Sequence, residues 1–114
     1  MKAELKRIHS PDVDLDKGPV PTDSLFVQLM IGPVDGPGEE SFDLMMCTPG
    51  AQDMVVDPSD PDSSRYLLVL ERIDPALLER YVEDFLRNIE QPTWRELALQ
   101  IGQFAKWEFH DYCP

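Results

Sequence analysis

The sequence predicts an α+β fold: a mainly antiparallel sheet of four to five strands with two C-terminal amphipathic helices packed on one face. Three observations carry that prediction. Through the first half of the chain, apolar residues alternate with polar ones, the period of half-buried strands. From residue 74 onward they recur at three- and four-residue spacing, the period of helices. Strands first and helices after describe segregated layers rather than alternating β–α units. At 114 residues and 42% hydrophobic, residues 1–114 are expected to form one globular domain, large enough to bury a core without staples.

Residues 3–10 read as a first strand, with Ala3, Leu5, Arg7 and His9 alternating against Glu4, Lys6 and Ile8. Residues 11–24 read as a loop, because three prolines, one glycine and four aspartates support neither a ladder nor a helix. Residues 26–31 are dense in apolar side chains and lack helix caps, which predicts a strand. Gly32-Pro33-Val34-Asp35-Gly36-Pro37-Gly38 is turn chemistry, and Phe42, Leu44 and Met46 then alternate onto one face. A hairpin over 26–47 with a long connection follows. Thr48-Pro49 opens a short segment with one helical turn through Met54, and Asp- and Pro-rich residues 56–64 read as a surface loop. The apolar run 66–70 suits a central strand covered on both faces, or an edge strand whose face a partner buries.

Asp74 is placed as a helix N-cap with Pro75 at the first helical position. Leu77, Leu78, Tyr81, Val82, Phe85, Leu86 and Ile89 then form one apolar stripe. Glu79, Arg80, Glu83, Asp84 and Arg87 lie opposite, with Glu83 and Arg87 ordered for an i,i+4 pair. Thr93-Trp94-Arg95-Glu96 is a capping box, in which a hydroxyl and a carboxylate satisfy each other's backbone donors. Trp94, Leu97, Ala98, Ile101 and Phe104/Ala105 supply the second stripe. Phe85 and Trp94 are expected to lie between helices and sheet.

Net charge is −12 and uneven: residues 1–10 carry +2, residues 11–62 carry −11, and residues 63–114 carry −3. A nucleic-acid binder needs clustered Lys and Arg, so no nucleic-acid partner is expected. Acidity of this kind favours long-range attraction to a basic protein. No 18-residue apolar run exists and the N-terminus lacks the apolar region of a secretion signal, so no membrane partner is expected. The two cysteines, Cys47 and Cys113, accordingly read as reduced thiols of a cytoplasmic protein.

No constellation of catalytic groups emerges. Only His9 and His110, near opposite ends, could serve a nucleophile as base. Cys47 sits mid-strand, where an inert buried thiol is the default. Gly32, Gly36 and Gly38 lie among prolines and acids that would repel phosphate. Asp12-x-Asp14-x-Asp16 has the start of a calcium loop, with Asp23 at the twelfth position. Its sixth position, however, is Lys17 where the turn requires glycine. The chain therefore reads as a non-enzyme with no cofactor and no bound metal.

The chain closes on Trp107-Glu108-Phe109-His110-Asp111-Tyr112, aromatic area that must be packed somewhere. Trp-Glu-Phe-x-Asp-Tyr resembles the closing motif of the immunity protein 8 family, small bacterial proteins that neutralise toxins of polymorphic toxin systems. The opening Met1–Lys6 through His9–Asp14 is similar to the family's start. So are Gly38-Glu39-Glu40-Ser41-Phe42-Asp43 running into Cys47-Thr48-Pro49, and Arg65-Tyr66-Leu67-Leu68-Val69-Leu70-Glu71-Arg72. Thr93-Trp94 and Gly102 complete the order. His110 departs from that pattern, where an acid is expected, as does the Asp- and Pro-rich stretch 54–62.

The resemblance implies an immunity protein that binds a cognate toxin domain by stoichiometric protein–protein inhibition, in competition between bacteria. The contact residues expected from it are Glu39, Glu40, Asp57, Asp60, Asp62, Glu108, Asp111 and Tyr112, carboxylates matching toxin Lys and Arg beside an aromatic anchor. Nuclease, peptidase and deaminase toxins all satisfy this expectation. The rival reading is a non-catalytic structural or regulatory module without a toxin partner. An exposed strand edge along 66–70 would also invite a second copy to pair, giving a homodimer. Calcium titrated into the protein is expected to show no sub-micromolar binding by calorimetry; such binding would restore the Asp12–Asp23 loop as a metal site.

Overall fold

A computed structural model describes residues 1–109. Its frame is a hairpin of two long strands, β2 (Ser24–Pro33) and β3 (Glu40–Cys47), paired antiparallel from Ser24↔Cys47 to Ile31↔Glu40. The register puts Leu25, Val27, Leu29 and Ile31 on the same face as Phe42, Leu44 and Met46, and all seven are buried. Gly32 marks the start of the connection, since a Cβ there would run into the Gly38 carbonyl oxygen.

β1 (Ala3–His9) joins the other side of β2, also antiparallel. Its register shifts between Leu5 and Arg7: Leu5 opposes Ile31, but Arg7 opposes Met30 and Ile8 opposes Leu29. This irregularity corrects the alternation expected from sequence. The extra residue, Lys6, lets Leu5 and Ile8 both pack against the core, while Arg7 and His9 turn to the opposite face.

The far edge of β3 is shared end to end. β4 (Leu67–Val69) runs parallel to it at Met45–Cys47, and β5 (Lys106–Trp107) runs antiparallel at Phe42–Asp43. A parallel neighbour requires a crossover. Residues 48–66 supply it, including the short helices α1 (Gln52–Val55) and α2 (Asp62–Arg65). The run 66–70 is thus not a central strand. It contributes three residues at the rim, where Leu68 enters the core and Val69 is 37% exposed.

Helices α3 (Pro75–Arg87) and α4 (Trp94–Ile101) form where their caps stand. The Asp74 carboxylate accepts from Ala76 N at 3.0 Å, and Thr93 Oγ1 accepts from Glu96 N at 3.2 Å. Leu78, Val82, Leu86 and Ile89 share the core with Leu97, Ala98, Ile101 and Ala105. Arg87 pairs with Asp84 at 2.8 Å, a three-residue spacing, rather than with Glu83. Phe85 and Trp94 are also corrected: both are half-buried at the rim of the core. Phe85 and Tyr81 stack on Phe104, with centroids 5.0 and 5.7 Å away, so the outer line of the α3 stripe closes the seam behind α4. No helix among the described residues is long and apolar enough to cross a membrane.

Leu78→Ala is expected to cost about 2–5 kcal/mol, the range for a buried leucine that leaves a cavity. Phe85→Ala should cost less, because part of its ring already meets water. Chemical denaturation of both variants checks the ordering, and equal losses would place Phe85 in the core after all.

Candidate functional site

The strand period that fills the core also builds a second surface. The side of the sheet opposite the core carries half-buried side chains on β2, β3 and β5, and Phe26, Met30, Met45 and Leu67 are absent from the packed core. Register sorts this open face into rows running across the strands. Phe26, Met45 and Leu67 form an apolar row. His9, Gln28, Asp43 and Lys106 form a polar one, and Arg7, Met30 and Ser41 a third.

The α1–α2 crossover rises along one side of this face. Between the two lies a cleft of about 260 Å³, lined by Phe26, Asp43, Met45, Val55, Asp60, Asp62, Ser63, Tyr66 and Lys106 together with Leu44. Lys106 donates to Asp62 Oδ2 at 3.0 Å. Asp43 Oδ1 accepts from Ser41 Oγ at 3.3 Å and Gln28 Nε2 at 3.5 Å. Three carboxylates therefore face one ammonium over an apolar floor. Arg65, outside the lining, lies over the Tyr66 ring at 5.1 Å.

The expected contact residues divide into groups. Asp60 and Asp62 line this cleft, and Asp60 Oδ1 holds the turn by accepting from Asp62 N at 3.0 Å. Asp57 lies nearby in the crossover, exposed. The Ser59 hydroxyl and then its backbone N–H stabilise the Asp57 carboxylate and hold its pKa below the usual value, so it keeps its charge into acid. Glu39 is exposed and pairs with Arg7 at 2.9 Å. Asp111 and Tyr112, with His110 and Cys113, lie outside the described residues.

Glu40, half-buried, and Glu108, exposed, both bond to groups of the fold. Glu40 Oε1 accepts from the Trp94 indole N–H and Oε2 from that of Trp107, the latter at 3.0 Å. Glu108 accepts from Ser41 N at 2.9 Å, while its own N donates to the Ser41 carbonyl at 3.0 Å. Trp107 is 9% exposed and stacks on Phe42 with centroids 6.4 Å apart, and Phe109 stands edge-on to it at 5.5 Å. Three stretches far apart in sequence, around Glu40, Trp94 and Trp107, thus meet at one carboxylate.

Sequence reasoning missed Phe26, Asp43, Met45 and Lys106. A signal existed for the first and third: on a hairpin whose inward positions are already apolar, outward Phe26, Met30 and Met45 leave the other face apolar too. Asp43 and Lys106 become neighbours only through the β3–β5 pairing.

Cys47 is a buried free thiol, and burial pushes its pKa up, which keeps it neutral and a poor nucleophile. Among the described residues, no group of three or more His, Cys, Asp or Glu side chains is placed to hold a metal ion.

The family model for immunity protein 8 matches residues 3–112, nearly the whole chain. The chain belongs to the immunity protein 8 family. No curated protein and no solved structure matches it. Three of the stretches that carried the resemblance, around Glu40, Trp94 and Trp107, are tied together by the Glu40 and Glu108 bonds. That part of the immunity protein 8 pattern therefore serves to close the fold.

Glu40→Ala is expected to leave both indole N–H groups without their carboxylate and to cost about 2–4 kcal/mol. Because Trp94 and Trp107 are the only tryptophans, the native emission should shift to the red. Unchanged stability and emission in this variant would remove the carboxylate clamp from the fold.

Proposed function

We propose that this protein neutralises the toxic domain of a cognate polymorphic toxin by binding it stoichiometrically, in the cytoplasm and without chemistry of its own. Family membership is the observation that carries the reading. The molecule's chemistry supports it. An inhibitor of this kind needs a surface, charge complementarity and a few anchors, and it needs no reactive group. With −12 of net charge, of which −11 falls within residues 11–62, the protein suits a basic toxin and not a nucleic acid or an anionic membrane.

Asp57, Asp60 and Asp62 lie together on the crossover and steer the toxin, with Glu39 adding to the field across the sheet. Asp111 and Tyr112 act at short range. Glu40 and Glu108 contribute through the shape of the fold rather than through direct contact, since their carboxylates are held by Trp94, Trp107 and Ser41.

The test is growth and kinetics with the product of the adjacent open reading frame as the candidate toxin. Co-expression should rescue cells from the toxin, and purified components should form a one-to-one complex. Association should slow steeply with added salt while dissociation changes less. Converting Asp57, Asp60 and Asp62 to Asn should lower the association rate by about tenfold at low salt and flatten its salt dependence. Stability should fall by no more than about 1 kcal/mol, the worth of the half-exposed Lys106–Asp62 pair. Absence of a complex would favour a structural or regulatory module instead. Salt-independent association would remove steering by this loop.

A further inference from the structure

Among the described residues, the core helices α3 and α4 cover one face of the sheet and leave the other to its own outward side chains. β2 and β3 invest Phe26, Met30 and Met45 in positions facing away from the core, and Leu67 of β4 extends that surface. Helices α3 and α4 pack on the other side. At the end of this face near α1 and α2, the apolar row runs into the cleft where Asp43, Asp60 and Asp62 stand around Lys106. Lys106 pairs with Asp62, and three carboxylates against one ammonium leave the lining net negative over a hydrophobic floor.

We infer that this open face is the toxin-docking surface and that the cleft receives one arginine side chain of the toxin. The inference rests on the immunity reading above and supplies the surface and the partner chemistry. A cleft of about 260 Å³ is smaller than the roughly 300–1,000 Å³ typical of small-molecule sites, but it has room for a single long side chain. An aliphatic stem lies against Phe26 and Met45, and a cationic head meets carboxylates on two sides. Arginine fits this arrangement better than lysine. Its planar fork reaches two acceptors at once and gives up less hydration on burial than an ammonium does. A second copy of this chain does not suit the face, because each copy brings a net charge of −12. The side chains of Arg7 and His9 lie at the distant β1 end, and Glu39 already offsets Arg7.

The experiment compares two double variants of equal charge against the cognate toxin domain. Asp43→Asn with Asp60→Asn removes two charges from the cleft. Glu79→Gln with Glu83→Gln removes two from exposed positions on α3, whose buried line faces the core. Phe26→Ala tests the apolar floor separately, and circular dichroism of every variant controls for folding. The cleft double and Phe26→Ala should each weaken binding by at least about tenfold, mainly through faster dissociation, while the α3 double changes it less than about threefold. In double-mutant cycles against arginine-to-alanine variants of the toxin, one arginine should couple to the cleft double. Equal effects from both doubles, or no coupled arginine, would overturn the cleft while leaving the immunity reading intact. A wild-type protein that fails to bind the toxin overturns both.

Discussion

The register between β2 and β3 is the constraint on which the remaining structure depends. Side chains in a strand alternate faces with a period of two, so a slip by one residue would turn one strand's whole apolar set to the wrong face. Were β3 to slip against β2, Phe42, Leu44 and Met46 would face solvent, and Ser41, Asp43 and Met45 would face the helices. Burying seven large apolar side chains on one face makes that slip prohibitively costly. Once the register is set, β3 presents its free edge to β4 and β5, the core face receives α3 and α4, and the opposite face is left to the outward residues.

A second constraint closes the structure around the first. The Glu40 carboxylate joins Trp94 and Trp107, residues 54 and 67 positions away, at the end of the core. Each indole has one N–H donor that prefers a partner when buried, and a carboxylate has two oxygens. One acidic side chain therefore satisfies both rings. The Glu108–Ser41 bonds extend the same attachment onto the β3 backbone.

Local chemistry was legible in the sequence, and distant pairing was not. Asp74 and Thr93 cap their helices by bonds to residues two and three positions on, so both helix starts could be read directly. The hairpin was legible for the same reason, from alternation on either side of a glycine- and proline-rich turn. The irregularity at Lys6 was hidden, because only the core decides that Leu5 and Ile8 must both be buried. The run 66–70 misled toward a central strand, since continuous apolarity suggests burial on both faces. Here Leu67 instead belongs to the open face and Val69 to the rim. Of the expected contacts, Asp60 and Asp62 fall in the cleft, whereas the bonds that hold Glu40 are invisible in its local sequence because its partners lie so far along the chain.

The division of labour between the two faces of β2 and β3 bears on how such a protein can change over generations. Odd positions of β2 carry the core, and even positions carry the outer surface, so substitutions at 26, 28, 43 and 45 change that surface without disturbing the packing beneath. Two chemical properties that usually trade against each other are thereby written on alternate letters of the same segment. A lineage can revise the outer set while the packing requirement holds the inner one still.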